Sequence, residues 1–483
     1  MTERPVAPAP GGPVQAPIQA RLEPDAIGVA QDTIIGMANT APTISIGLSL
    51  AGLAAAMAYA GISALVLCGV VMLVIANSYR RLNLWNANCG ASFEWVGRAI
   101  DPYLGFMTGW LMIAGTLTGA ISGVVVLAPS VLAVFGANAN STWGNIAIST
   151  AVVVIITAVA IVGIRPTARL QVGMAAVEYT ILIGFIIAGL VAVLGHHHGT
   201  VPITSSWFSL NGIGGKGDLS AGILICVFMY SGWDATVYVN EEVKHRRVNP
   251  GRAAIIAVAL LGVIYIFGTL GLQGAVSSAK LQANSSSLLI YIAQSLAGGG
   301  WAKVMALALA LAVIASTGVG IVALARILYG MASHRVLPTA LGRVSPRFAT
   351  PVVSSVVTGL ALIIVMWVYL LSGSVANAFN ELIDITGLLF AAFYILTALA
   401  AIAYYRRRLV RNVWDALLVG ILPLAAAGFL VWVVWKSLAA APWSQRWSVI
   451  GVVLAGMVLM LIARFVLQSS FFKVARESAS AKA

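Results

Sequence analysis

Two short segments carry the residue types from which a solute site inside an apolar protein could be built. Ile35-Gly36-Met37-Ala38-Asn39-Thr40-Ala41-Pro42 and Phe228-Met229-Tyr230-Ser231-Gly232-Trp233-Asp234-Ala235-Thr236 each set glycine beside polar residues within a long apolar run. Pro42 donates no backbone hydrogen bond, and Gly36 and Gly232 leave bare backbone, so a helix is weakened at either place. Where a helix breaks, its new N-terminus offers N–H groups and a positive dipole end to a carboxylate. The exposed carbonyls take an ammonium group or a cation. A zwitterion such as an amino acid suits both ends. Asp234 follows the second glycine, where it could pair with a cationic solute, join the half-helices through hydrogen bonds, or cap the second half-helix. A third candidate, Glu178, stands seven residues after Gln171 in a run that stays apolar to Leu194. A carboxylate in such a run is costly and faces a cavity or a partner, or else lies near an interface.

The elements that hold these residues follow from composition. Of 483 residues, 60% are hydrophobic and only 9% charged, against roughly 25% charged in a soluble domain. That excludes a soluble enzyme, a nucleic-acid binder and a disordered scaffold as descriptions of the chain. The net charge of +13 reflects the accumulation of Lys and Arg in cytoplasmic loops rather than a nucleic-acid partner. Cys68, Cys89 and Cys226 make no CxxC pair and imply neither a disulfide nor a metal site. The chain reads as an all-α integral membrane protein whose partners are the lipid bilayer and a small-molecule substrate.

A hydrocarbon core about 30 Å thick needs about 20 apolar residues per helix. Counting charge-free runs predicts twelve transmembrane helices, near 26–49, 54–79, 103–132, 145–164, 171–194, 219–240, 253–274, 301–328, 352–372, 382–405, 415–435 and 448–467. Arg80, Arg81, Arg98, Arg165, Arg169, Lys244, Arg246, Arg247, Arg335, Arg343, Arg347 and Arg406–Arg408 then collect on one side. Lys216, Lys280, Lys303, Lys436 and Arg446 lie on the other. The richer side is cytoplasmic, and both termini with it. The interrupted first and sixth helices, five spans apart, are the pattern of two inverted five-helix repeats with discontinuous helices at the bilayer midplane. The expected division is a disordered cytoplasmic tail (1–24), a first repeat (25–195), a second repeat (219–405), two additional C-terminal helices (414–468) and a cytoplasmic C-terminal tail (469–483). His196-His197-His198 falls in the outer loop between the repeats and reads as a solvated tip.

At the second break the sequence resembles the amino acid–polyamine–organocation (APC) superfamily, whose fold is of the APC/LeuT type. Tyr230-Ser231-Gly232-Trp233-Asp234 is followed by Glu241-Glu242-Val243-Lys244 and Asn249-Pro250-Gly251-Arg252-Ala253, similar to that family's sixth span and the loop after it. Further matches are Ala325-Arg326-Ile327-Leu328-Tyr329-Gly330-Met331-Ala332 with Leu337-Pro338 and Thr350-Pro351, and Gly105-Phe106-Met107-Thr108-Gly109-Trp110. The resemblance covers about residues 25–405. Where the family commonly has Gly-Ser-Gly or Gly-Ala-Gly, this chain has Gly36-Met37-Ala38, which points to a different size or pose of substrate.

The resemblance implies a secondary transporter of an amino acid or related amine, working by alternating access. It implies substrate binding at Gly36, Met37, Ala38, Asn39, Thr40, Phe228, Ser231, Gly232, Trp233 and Asp234, with Phe228 in the place of an aromatic gate. Glu178 falls where proton-coupled relatives carry a lysine, so it is the candidate for binding and releasing H⁺. Ser316 and Thr317 match hydroxyls that hold Na⁺ in sodium-dependent members of the fold, which makes sodium the competing coupling ion. No cofactor is implied. The alternatives are an exchanger or uptake system for polyamines or choline-like organic cations, and a membrane sensor that transports nothing. No nucleophile–base set, metal cluster or P-loop appears in the spans, which disfavours an enzyme or an ATP-driven pump.

Overall fold

The computed structural model describes residues 21–135, 141–197, 199–209, 218–372, 375–410 and 413–473. Most of the expected N-terminal tail, His198, Lys216 and the last ten residues lie outside them. Among the described residues no β-strand forms, and a lone parallel bridge pairs Ile27 with Val243. The chain is built from helices α1 (Val29–Thr40), α2 (Pro42–Met57), α3 (Gly61–Trp85), α4 (Ser92–Ala99), α5 (Pro102–Val125) and α6 (Leu127–Val134). These are followed by α7 (Thr142–Val162), α8 (Ile164–Leu194), α9 (Leu219–Met229), α10 (Ala235–Tyr238), α11 (Asn249–Gly268), α12 (Ser278–Ala283) and α13 (Leu288–Ala297). The last are α14 (Gly299–Ser333), α15 (Val352–Ser372), α16 (Val375–Leu409), α17 (Val413–Asp415), α18 (Leu422–Ala440) and α19 (Trp443–Leu461).

Among the described residues, ten helical runs are long and apolar enough to cross a membrane. The first, Val29–Trp85, spans 57 residues; it takes in the first two expected spans, but the 3₁₀ turn that divides it, at Ala58–Ala60, falls inside the second expected span rather than ahead of it. The sixth expected span is the pair α9 and α10, individually too short to count among the ten. Helix starts follow local chemistry. Asp101 accepts a hydrogen bond from the Tyr103 N–H with Pro102 at the first helical position, and Asp218 accepts from the N–H groups of Ser220 and Ala221.

The interior is formed where α1, α3, α5, α14 and α16 meet, with α9 and α11 packed among them. The helices at the periphery expose their apolar residues: Ile155, Val191, Ile364, Val431 and Val458 are all open. In water such a surface would be a liability; against acyl chains it is the solvent-matched face. Exposed Trp143, Trp435, Trp443 and Trp447 sit near helix ends, where indole rings meet lipid headgroups. The start of the expected C-terminal tail packs onto the bundle. Phe471 and Phe472 are buried, and Phe471 stacks on Phe93 of α4 with ring centroids 4.3 Å apart.

Candidate functional site

Both expected breaks form, and they touch. α1 ends at Thr40 because Ala41 turns into the left-handed region (φ 50°), where its N–H donates to the carbonyls of Met37 and Ala38. Pro42 then opens α2 at a position that needs no N–H. The sixth span stops at Met229 and resumes at Ala235; between them Gly232 holds φ +109°, a conformation that favours glycine. The Asn39 side-chain amide donates to the Gly232 carbonyl at 2.9 Å, so one break is fastened to the other. A Cβ on Gly232 would stand 3.0 Å from the Asn39 amide nitrogen and 3.1 Å from its carbonyl oxygen.

A small cavity opens at this junction. Asn39, Thr40, Phe228, Ser231, Gly232 and Ser316 line it, six of the residues singled out in the sequence. Thr116, Gly119, Ser122 and Gly123 of α5 and Thr386 and Phe390 of α16 complete the wall. Among the described residues, none that lines it is charged. The surface therefore combines two phenyl rings, several hydroxyls, one carboxamide and bare backbone. α2 contributes Ile44 and Ser45 from its first turn, bringing the positive end of that helix to the cavity.

The other sequence candidates lie behind this wall. Gly36 packs against the sixth span: a Cβ there would meet the Thr236 methyl carbon at 2.7 Å and the Trp233 carbonyl at 2.9 Å. Met37 and Ala38 are buried, and their carbonyls close the end of α1. Trp233 lies parallel to Tyr394, 5.4 Å between centroids, and edge-on to Tyr79. Asp234 is fully buried and its carboxylate accepts from Tyr238 and, at 2.9 Å, from Tyr394. It makes no side-chain cap to α10. Of the three roles open to it, the geometry is that of a hydrogen-bonded tie, linking the sixth span to α16.

Glu178 is also buried, and it faces α2. Thr43 donates its hydroxyl to the carboxylate at 2.7 Å and its backbone N–H as well. Thr43 is the second residue of α2, so the carboxylate caps the half-helix whose first turn reaches the cavity. The neighbouring hydroxyls of α14 divide: Ser316 lines the cavity and donates to the Val313 carbonyl at 3.1 Å, whereas Thr317 is buried with no partner for its hydroxyl.

At the end of the bundle where the chain enters, the packing is closed. Glu242 and Arg326, both fully buried, form a two-pronged ion pair at 3.0 Å on each arm. The Glu242 carbonyl receives the N–H groups of Ala26 and Ile27, and the Ile27 carbonyl receives that of Lys244. Nearby, Glu94 of α4 pairs with His334 and with Arg98. Burial opposes ionisation of Glu94, but His334 and Arg98 outweigh it and hold the carboxyl below the usual carboxylate range.

Several wall residues were not singled out from the sequence. Thr116, Gly119 and Gly123 recur at helical spacing (i, i+3, i+7) on one face of α5, and Thr386 and Phe390 stand one turn apart (i, i+4) on α16. A search for faces of small and hydroxyl residues on otherwise apolar helices would have found the first set.

The sequence matches the family described as "Amino acid permease" over residues 30–468. The low-affinity putrescine importer PlaP of Escherichia coli K12 is 24% identical, over 66% of this chain and 69% of its own length. An arginine/ornithine antiporter of Lactococcus lactis is 21% identical, over 70% and 68%. Among solved structures, a manganese transporter of Eremococcus coleocola superposes with a TM-score of 0.61 at 15% identity, covering 94% of this chain and 99% of that one. The shared architecture is the LeuT-type transporter fold. The match runs from α1, which carries the first break, through the second break to the last helix. The chain thus belongs to the amino acid permease family.

Proposed function

We propose that this chain is a secondary transporter that carries an amino acid or a related small amine by alternating access, with substrate held in the cavity between the two helix breaks. The observation that carries the proposal is the uncharged cavity at the N-terminus of α2. A substrate carboxylate would rest at that helix end, and its ammonium group among the Asn39, Ser231 and Thr116 oxygens. A wall without charged side chains suits a zwitterion better than a polyamine, although putrescine is named for one relative. The chain crosses the cytoplasmic membrane twelve times with both termini inside, α1–α8 and α9–α16 forming the two repeats.

Protons drive the cycle through Glu178. Its carboxylate and the substrate carboxylate both draw on the N-terminus of α2, so each is bound more readily when the other is neutral or absent. Protonating Glu178 frees the helix end for substrate, and proton and substrate then travel together. Sodium held by Ser316 and Thr317 is the competing reading; the unpartnered Thr317 hydroxyl is what supports it. Uptake of labelled amino acids and amines into proteoliposomes, with a pH gradient or a sodium gradient alone, tests both. Substrate uptake that ignores the pH gradient would overturn the proton reading. No uptake across the panel would overturn transport itself.

A further inference from the structure

Asp32 has no role in the site described above, yet among the described residues it is the carboxylate whose two oxygens are both buried and unpartnered. It is 0% exposed, and neither carboxylate oxygen has a hydrogen-bond partner. Its neighbours on α1 do not supply one. The Gly28 N–H is taken by the Gln31 side chain, and the Asp32 N–H bonds the Gly28 carbonyl.

The charged and titratable groups on the helices packed against α1 are committed elsewhere or turned outward. Arg326 holds Glu242, Tyr238 holds Asp234, Tyr265 donates to the Met229 carbonyl, and Glu178 takes Thr43. Arg252, Arg165, Arg169 and Lys303 reach solvent, and Tyr179 and Tyr329 form no bond to Asp32.

An ionised carboxylate buried without a partner costs several kcal/mol. In the closed arrangement the group is therefore neutral, holding a proton. Its position says when that proton leaves. Asp32 lies five residues beyond Ile27, the residue fastened to Glu242 and Lys244 by backbone hydrogen bonds. It is one helical turn before Gly36, on the face of α1 that packs against the sixth span. Parting Ile27 from the 242–244 segment would admit water to this face and let the carboxyl ionise, its proton passing to that water.

We propose that Asp32 is a second proton-binding site, occupied while this end of the bundle is closed and emptied when it opens. The inference rests on the alternating-access reading above, but not on the role of Glu178. By linkage, proton binding and closure favour one another: acid holds the end shut, and a rising pH opens it.

Hydrogen exchange of the purified protein tests this without knowledge of the substrate. Exchange at residues 26–36 and 239–247 is followed from acid to alkaline pH and divided by the intrinsic rate at each pH. In wild type the quotient should climb by up to about tenfold per pH unit once Asp32 ionises, the slope for one proton. Asp32→Asn, permanently neutral, should stay at the protected acid value throughout; Asp32→Ala gives the same reading if the amide variant does not purify intact. Glu178→Gln should keep the wild-type slope, whatever becomes of its uptake. A slope retained in Asp32→Asn or Asp32→Ala, or a wild type with no slope, overturns the proposal.

Discussion

Replacing Glu178 with glutamine separates proton coupling from substrate binding. The variant keeps the size of the side chain and an oxygen for the Thr43 hydroxyl, but it cannot titrate. Glu178 bonds Thr43, while Ile44 and Ser45 line the cavity, so a bound carboxylate would share that helix end, at a separation on the order of 8 Å. At an effective dielectric of about 20, two unit charges at that separation repel by about 2 kcal/mol. Wild-type affinity should accordingly fall roughly 30-fold as pH rises and Glu178 ionises, since each factor of ten is about 1.4 kcal/mol. Glu178→Gln should hold the acid-side affinity at every pH. It should exchange labelled for unlabelled substrate across equilibrated membranes, yet fail to accumulate substrate against its gradient when protons flow inward. Binding is read by scintillation proximity on purified protein, and accumulation in proteoliposomes. Proton-driven accumulation at the wild-type level, or an unaltered pH dependence of affinity in the variant, would refute the reasoning. A strict requirement for Na⁺ would transfer coupling to Ser316 and Thr317.

Phe228→Ala should weaken substrate binding with little change in melting temperature, because the ring lines the cavity; Trp233→Ala should instead destabilise by about 3–5 kcal/mol, because its ring is stacked in the core. Thermal unfolding beside a binding isotherm distinguishes the two. Gly36→Ala should cost about 1–3 kcal/mol by thrusting a methyl against the Trp233 carbonyl, whose backbone cannot yield as a side chain could. Arg326→Met should cost about 3–5 kcal/mol by stranding Glu242, and pairing it with Glu242→Gln should restore much of the loss. Acid should loosen the docking of Phe471 on α4. The Glu94 carboxyl is depressed by His334 and Arg98, so its contribution is present above the unfolded carboxylate value near 4 and disappears as pH falls through the lower folded one. Proteolysis after α19, followed from pH 6 to pH 3, reads this, and Glu94→Gln should remove the pH dependence.

The membrane-spanning pattern and the two breaks were legible because each depends on local chemistry. Long charge-free runs fix the spans, and Pro42 and Gly232 fix the breaks by what their own backbones can do. The division of labour within a break was not legible. Gly36 and Gly232 look alike in sequence, yet Gly232 supplies a positive φ and a carbonyl to the cavity edge, while Gly36 lets two helices approach. Only the neighbour across the gap separates these uses, and that neighbour is some 200 residues away in the chain. Phe228 and Trp233 are a similar pair. Phe228 lies in the last turn of the helix before the break and Trp233 within the break, where the helical phase is lost, so spacing could not say which ring faces the solute. Wall residues from α5 and α16 carry no signal stronger than small size, and the docking of Phe471 on α4 depends on packing between distant segments.

Glu178 illustrates how far a local argument reaches. Burial in an apolar run made it a candidate for a proton, but its partner could not be named from spacing. The partner proves to be Thr43, at the beginning of the half-helix that Pro42 initiates. A continuous first span would have its N–H groups satisfied internally at that depth and would offer nothing to either carboxylate. Breaking the helix creates one positive end. Under the proposed function, Glu178 and the solute then compete for it, so the break that makes room for substrate also couples its binding to a proton.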